Sequence, residues 1–361
     1  MNAAIDRESL SKVTASVQGE LRVLPLAETD TDRWDAFVLS CPEATFFHRA
    51  GWTTVIERAF GHRTHFLLAE RGGRIEGVLP LAEIKSLLFG HSLVSTPFCV
   101  YGGPAALTES ARHALINAAE ALAIKLGVGH LELRSKRASK PEWQTKDLYY
   151  TFRKELPSNE EQNMLAIPRK QRAMVRKGIK AGLRGEVDAG TDRFFAAYSS
   201  SVHRLGTPVF SRKYFSILRE VFGEDCEVLT ITTAEGALVS SVMNFYFRDE
   251  VLPYYGGGLP LARDVAGNDF MYWELMRRSS LRGIKIFDFG RSKLGTGAFD
   301  FKRNWGFDPV ALPYEYKLVR AQVLAEHNPL NPKYQLMIKC WQRLPLKLAN
   351  LVGPYIVKSL G

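Results

Sequence analysis

The sequence predicts a mixed α/β chain of the α+β class, in which one folding module occurs twice and a basic helical tail follows. Short β-branched or aromatic runs alternate with longer stretches of helical period through most of the 361 residues. Tyr101-Gly102-Gly103 and Tyr255-Gly256-Gly257 stand in matching settings, each after a hairpin pattern and before a long helical one. Gly127 and Gly283 each lead, at one spacing, into a strand carrying a single acid, Glu132 or Asp288. Both repeats lie about 155 positions apart, which favours a duplicated unit over shared turn chemistry. The division expected is a flexible N-terminus at 1–20, a first unit at 21–160, a second at 161–320 and a basic amphipathic tail at 321–361.

In the first unit, Asp30 or Thr31 caps a helix over 32–40, and a second helix covers 49–60. Runs 65–70 and 75–84 form a hairpin about Arg71-Gly72-Gly73-Arg74, with Pro80 marking an edge or a bulge. A strand over 93–101 ends in the first Tyr-Gly-Gly, a helix over 109–126 stops at Gly127, and a strand follows at 129–134. In the second unit Pro168 opens a basic helix, and helices follow at 191–205 and 212–222. Strands at 227–233, 238–247 and 251–255 precede a helix over 268–281. The stretch 284–289 is a buried strand, 299–305 a helix and 310–319 a final strand.

Composition narrows the function. Lys and Arg number 48 against 38 Asp and Glu, a net charge of +10, which points to an anionic partner such as nucleic acid, nucleotide phosphate or a membrane surface. The four cysteines are scattered without a CxxC pair, which fits a reducing, cytoplasmic setting rather than a disulfide or zinc framework. The first 20 residues lack the apolar core of a signal peptide, and no apolar run reaches membrane-spanning length. Histidine spacing offers no metal motif, so no metal is expected. Neither a GxSxG elbow nor a P-loop occurs, which removes serine hydrolases and P-loop NTPases.

The chemistry concentrates at 283–306. A strand ending in Asp288-Phe289-Gly290-Arg291 delivers a carboxylate and a guanidinium to the carboxyl edge of a sheet, where open sheets bind ligands. Lys302 follows on a helix between Phe301 and Arg303. Upstream, Arg169, Arg172, Arg176 and Lys180 recur at helical spacing on one face, and no acid stands between Pro168 and Gly185. Such a face suits phosphate: a tRNA backbone, a nucleotide-linked sugar or a lipid pyrophosphate. Past Glu326 the tail has no acid and mixes lysines with leucines, so it either contacts a membrane peripherally, on the inner face, or packs on the second unit.

Ile167-Pro168-Arg169 through Lys180-Ala181-Gly182, Trp273-Glu274, Asp288-Phe289-Gly290 and Phe301-Lys302, in this order, resemble the FemABX group of duplicated GNAT acyltransferases. The chain is also similar to FemAB-like proteins encoded with exosortase and PEP-CTERM exopolysaccharide systems. The resemblance covers roughly residues 30–320. It implies two tandem GNAT-like domains and transfer of an aminoacyl or acyl group to an amine of a peptidoglycan or exopolysaccharide precursor. The donor is aminoacyl-tRNA or acyl-CoA, with no tightly bound cofactor. Lys302 then matches a lysine thought to hold the oxyanion. Asp288 is the base, or orients Lys302 or Arg291, or caps the loop. Tyr255, Gly256, Gly257, Arg291, Phe301 and Trp273 would line the substrate cleft, and Arg169, Arg172 and Arg176 would meet an anionic group. The acyl-CoA pyrophosphate cradle, R/Q-x-x-G-x-G/A, is only partly matched by residues 263–268, where Ala266 and Asn268 replace small positions and Asp264 intervenes. The alternatives are an acyl-CoA-dependent N-acetyltransferase and a non-catalytic scaffold that binds anionic envelope partners.

Overall fold

The computed structural model describes residues 19–86, 90–146, 148–324 and 332–359; the segment expected to be flexible lies outside them through residue 18. The chain opens with β1 (Leu21–Pro25), α1 (Thr31–Ser40) and α2 (Trp52–Phe60). Strands β2 (Arg63–Thr64), β3 (Leu67–Arg71), β4 (Arg74–Leu79), β5 (Leu81–Ser86), β6 (Gly90–Ser95) and β7 (Ala105–Ala106) follow. Then come α3 (Glu109–Leu126), β8 (His130–Leu133), β9 (Gln144–Lys146) and β10 (Tyr149–Glu155). The second half begins with α4 (Glu160–Ala166), α5 (Arg169–Lys180), β11 (Arg184–Asp188), α6 (Asp192–Arg204) and α7 (Arg212–Phe222). Next are β12 (Cys226–Thr232), β13 (Leu238–Phe247), β14 (Glu250–Gly258), α8 (Leu261–Asp264), α9 (Gly267–Leu281) and β15 (Ile286–Lys293). Helix α10 (Gly297–Asn304), β16 (Pro309–Ala311), β17 (Tyr314–Leu318), α11 (Pro332–Arg343) and α12 (Leu346–Val357) complete the described elements.

These strands form three sheets, ordered β1-β3-β4-β7, β2-β5-β6-β8-β17-β9 and β11-β12-β13-β14-β15-β10-β16. Each half holds one short parallel pairing. β6 and β8 align at Ser92–His130, Leu93–Leu131 and Val94–Glu132; β14 and β15 align only at Glu250–Ile286 and Val251–Phe287. In the second half the strands part beyond these two pairs, leaving a wedge toward their carboxyl ends, whereas β6 and β8 stay together to within a residue of theirs. The mixed α/β fold with a repeated unit is therefore the one observed.

Two prolines decide what the hydrophobic pattern left open. Residues 75–84 and 310–319 each read as one strand, and each divides, at Pro80 and Pro313, into two strands of different sheets. Proline lacks the amide that a continuing ladder needs, so the chain changes sheet there. The halves also exchange strands. β10, from before the expected border at 160, pairs with β15 in the seven-stranded sheet of the second half, while β17 returns to pair with β8 in the six-stranded sheet of the first.

The halves share a core. Phe46 stacks on Phe245 at 4.4 Å, Phe47 lies 4.9 Å from Tyr254, and Trp52 lies 5.3 Å from Phe222, all between ring centroids. Fully burying one such side chain contributes about 1.5–3 kcal/mol, so the halves cohere as one body. The tail packs against both. Gln342 donates to the Arg204 carbonyl at 2.6 Å, and His62 Nε2 donates to the Lys358 carbonyl at 2.6 Å.

Candidate active site

The sequence Asp288-Phe289-Gly290-Arg291 folds into a β-bulge. Asp288 pairs with Arg153 and Arg291 with Thr151, so two residues of β15 oppose Phe152 alone. Gly290 supplies the left-handed backbone, at φ 64°, that this geometry requires. Asp288 Oδ1 accepts the Gly290 amide at 2.7 Å and fixes the turn. Three carbonyls converge on one point as a result, and Lys302 meets them there. Its ammonium donates to Phe289 O at 2.6 Å, Gly290 O at 3.1 Å and Arg291 O at 3.0 Å. The Phe152 and Phe289 rings flank it at 5.4 and 5.9 Å. Burial pushes the Lys302 ammonium down to about 7, Asp288 pulls it up and Arg291 presses it down. The three carbonyls oppose loss of the proton, because a neutral amine has only two hydrogens to give.

Asp288 is itself buried, 1% exposed, at the contact between the halves. Its Oδ2 accepts from the Tyr101 hydroxyl and from Arg153 Nη1, both at 3.0 Å. Arg153 also grips Glu250, and Thr151 donates to the Tyr101 oxygen at 2.5 Å. Burial raises the Asp288 carboxyl from its ordinary value, while Arg153 and the Gly290 amide work against that rise. Arg291, turned by the bulge, lies over the Tyr149 ring at 4.8 Å and donates to the Tyr314 hydroxyl at 3.1 Å.

Beside this network lies a cleft of about 250 Å³ floored by Tyr101, Gly102, Gly103 and Pro104. A β-carbon on Gly103 would sit 2.4 Å from the Ser135 hydroxyl, so only glycine lets the two loops meet. His48 holds the turn from below. Nδ1 accepts the Thr45 amide at 3.1 Å, which leaves Nε2 to donate to the Gly103 carbonyl at 2.7 Å. Burial lowers the His48 pKa to about 4. Of the cations lining the cleft, Arg112 pairs with Glu43, Arg134 with Glu132 and Arg137 with Glu109. Lys136 makes no ion pair among the described residues; its ammonium stands 5.0 Å over the Tyr101 ring. A ligand's negative charge entering here meets that ammonium.

The other expected site residues are placed differently. Tyr255 is 7% exposed and shares a hydrogen bond of 2.7 Å with Tyr214. A β-carbon on Gly257 would stand 2.6 Å from Ser201, so Gly256 and Gly257 lie in the strand that seats α6, and the close approach there is made by the protein itself. Trp273 is buried in the core, and Phe301 packs 5.6 Å from Tyr272. Arg172 folds back onto the Leu165 and Ile167 carbonyls, whereas Arg169 and Arg176 are exposed beside Lys170, Lys177 and Lys180. None of these five exposed cations makes an ion pair among the described residues. Sequence alone does not point to His48 or Lys136, which carry no periodic or motif signal and meet Gly102 and Gly103 only in the fold.

Residues 169–303 match the family model of the acetyltransferase (GNAT) domain. The second half is a GNAT acyltransferase domain. The fold extends the likeness to nearly the whole chain. The crystal structure of FemX superposes with a TM-score of 0.64 at 15% identity, over 88% of this chain and 100% of that one. The C-terminal domain of a putative lysylphosphatidylglycerol synthetase from Agrobacterium fabrum gives 0.54 at 12% identity, over 81% and 92%. A tandem GNAT protein from the clavulanic acid biosynthesis pathway gives 0.50 at 16% identity, over 85% and 100%. At these identities the likeness shows a shared tandem GNAT fold. No curated protein sequence matches the chain.

A GNAT domain raises the question of coenzyme A. Its pyrophosphate would lie at the start of α9, where backbone amides and the helix dipole favour anions. Here α8 ends in Asp264, and Asp269, in the first turn of α9, accepts from Trp305 Nε1 at 3.2 Å. Asp264 and Asp269 near that helix start disfavour a pyrophosphate, and the exposed Arg263 beside them favours one.

Proposed function

We propose that this GNAT protein transfers an aminoacyl or acyl group to an amine on an anionic cell-envelope precursor, of peptidoglycan or exopolysaccharide type. The observation that carries this reading is the first-half cleft. It offers the unpaired Lys136 to a phosphate or carboxylate, and its floor residue Tyr101 is hydrogen-bonded to Asp288 of the second half. An acceptor held there would present its amine toward the β15 bulge. The amine nitrogen attacks the donor carbonyl, the tetrahedral oxyanion collapses, and the bond to the carrier oxygen or sulfur breaks as that atom takes the proton.

Asp288 and Lys302 act in this scheme by holding the bulge, since their hydrogen-bonding positions are occupied within the protein, while Lys302 adds positive potential near the developing oxyanion. The exposed cations of α5 suit a polyanionic carrier, which favours an aminoacyl ester of tRNA as donor. A second reading, acyl-CoA as donor, is favoured by the acetyltransferase family match and opposed by Asp264 and Asp269. The test is to bind an amine-bearing nucleotide-linked sugar to the protein and to its Lys136→Ala variant. Loss of affinity in the variant supports the cleft as acceptor site, and equal affinity removes it.

A further inference from the structure

Helix α12 is built inside out for a helix at a protein surface. Its inward face is small, with Ala349, Gly353 and Val357 buried. Its bulky apolar side chains point outward: Leu348 is 43% exposed, Leu351 65% and Tyr355 67%. Positions 348, 351, 352 and 355 form one stripe at helical spacing. On α11, Leu336 and Met337 are exposed as well, while Ile338 is half-buried. Surface apolar residues are ordinarily scattered; a gathered set marks an interaction face.

Charge indicates what covers it. No Asp or Glu occurs from residue 327 onward. Lys339, Arg343, Lys347 and Lys358 are exposed and make no ion pair among the described residues, and Lys347 and Lys358 flank the α12 stripe. Pairing with a second copy would set cations against cations with no acid to answer them. An anionic bilayer surface offers both an apolar boundary and phosphate. No helix among the described residues is long and apolar enough to cross a membrane.

We propose that the outer face of α11 and α12 docks on an anionic lipid surface, with the apolar stripe entering the headgroup boundary and the cations meeting lipid phosphates. This inference is independent of the acyl-transfer reading.

The test is sedimentation of the full chain with vesicles of phosphatidylcholine alone or mixed with phosphatidylglycerol. Binding to the mixed vesicles is expected to be roughly tenfold tighter or more. Leu351→Asn with Tyr355→Asn, and separately Lys347→Glu with Lys358→Glu, should each weaken it about tenfold while leaving the melting temperature unchanged, because all four side chains are exposed. A polarity-sensitive dye on Cys340, the exposed cysteine, should shift to the blue with mixed vesicles. Equal sedimentation of the Leu351/Tyr355 variant overturns the proposal, as does failure of the wild-type chain to bind. A concentration-dependent dimer that this variant abolishes also overturns it, and makes the face a contact between copies.

Discussion

The Tyr101 hydroxyl donates to Asp288 Oδ2 at 3.0 Å, and through that bond the glycine turn of the first half is tied to the bulged strand of the second. Both groups are buried, so neither has water to fall back on. Tyr101→Phe should cost about 1–2 kcal/mol in urea unfolding and should lower transfer more than stability alone explains. Unchanged stability and turnover would mean the bond is incidental.

Lys302 pins the bulge through three carbonyls. Methionine there fills the space but leaves three carbonyls without a donor. Lys302→Met should therefore lose about 3 kcal/mol of stability and most of the turnover. A variant within about 0.5 kcal/mol of the parent would show that the bulge holds without it.

His48 sets an acid limit. Its folded pKa of about 4 lies below the ordinary 6.5, so between those values the unfolded chain binds a proton that the folded chain does not. Stability is then full above about 6.5 and falls as pH drops toward 4, by on the order of 3 kcal/mol. His48→Gln keeps a donor for Gly103 and removes the titration. The variant's stability should be flatter across that window, and a parallel pH profile would refute the assignment.

The exposed face of α5 should govern binding of a polyanionic donor. Reversing Arg176 and Lys180 to Glu should weaken tRNA binding and reduce the slope of log affinity against log salt by about two or more. Arg172, spent on backbone carbonyls, should affect helix stability instead. An unaltered slope in the double reversal would separate α5 from the donor.

Much of this fold was legible in the sequence because it rests on local chemistry. The helix over 109–126, the helix over 212–222 and the strand over 238–247 fall where periodicity and capping put them. The paired Tyr-Gly-Gly and glycine–acid strands marked the repeat. What stayed hidden is long-range. Nothing local says that β10 and β17 exchange sheets, or that α6 occupies the space above Gly257. The surroundings of the candidate site residues are long-range for the same reason. Asp288, Arg291 and Lys302 converge at one bulge, but whether their polar atoms face a ligand or the chain's own groups depends on partners such as Tyr101, Arg153 and Tyr314, far away in sequence.

The most direct measurement of the central claim is donor consumption. The protein is incubated with charged tRNAs or with acyl-CoAs, in the presence and absence of amine-bearing envelope precursors, and loss of the donor ester or thioester is followed. Precursor-dependent loss is expected from one donor class, charged tRNA first, with the Lys136→Ala variant needing about tenfold more precursor. If neither donor is consumed with any precursor while the protein stays folded, the reading of this GNAT pair as an acyltransferase acting on an anionic amine acceptor is contradicted.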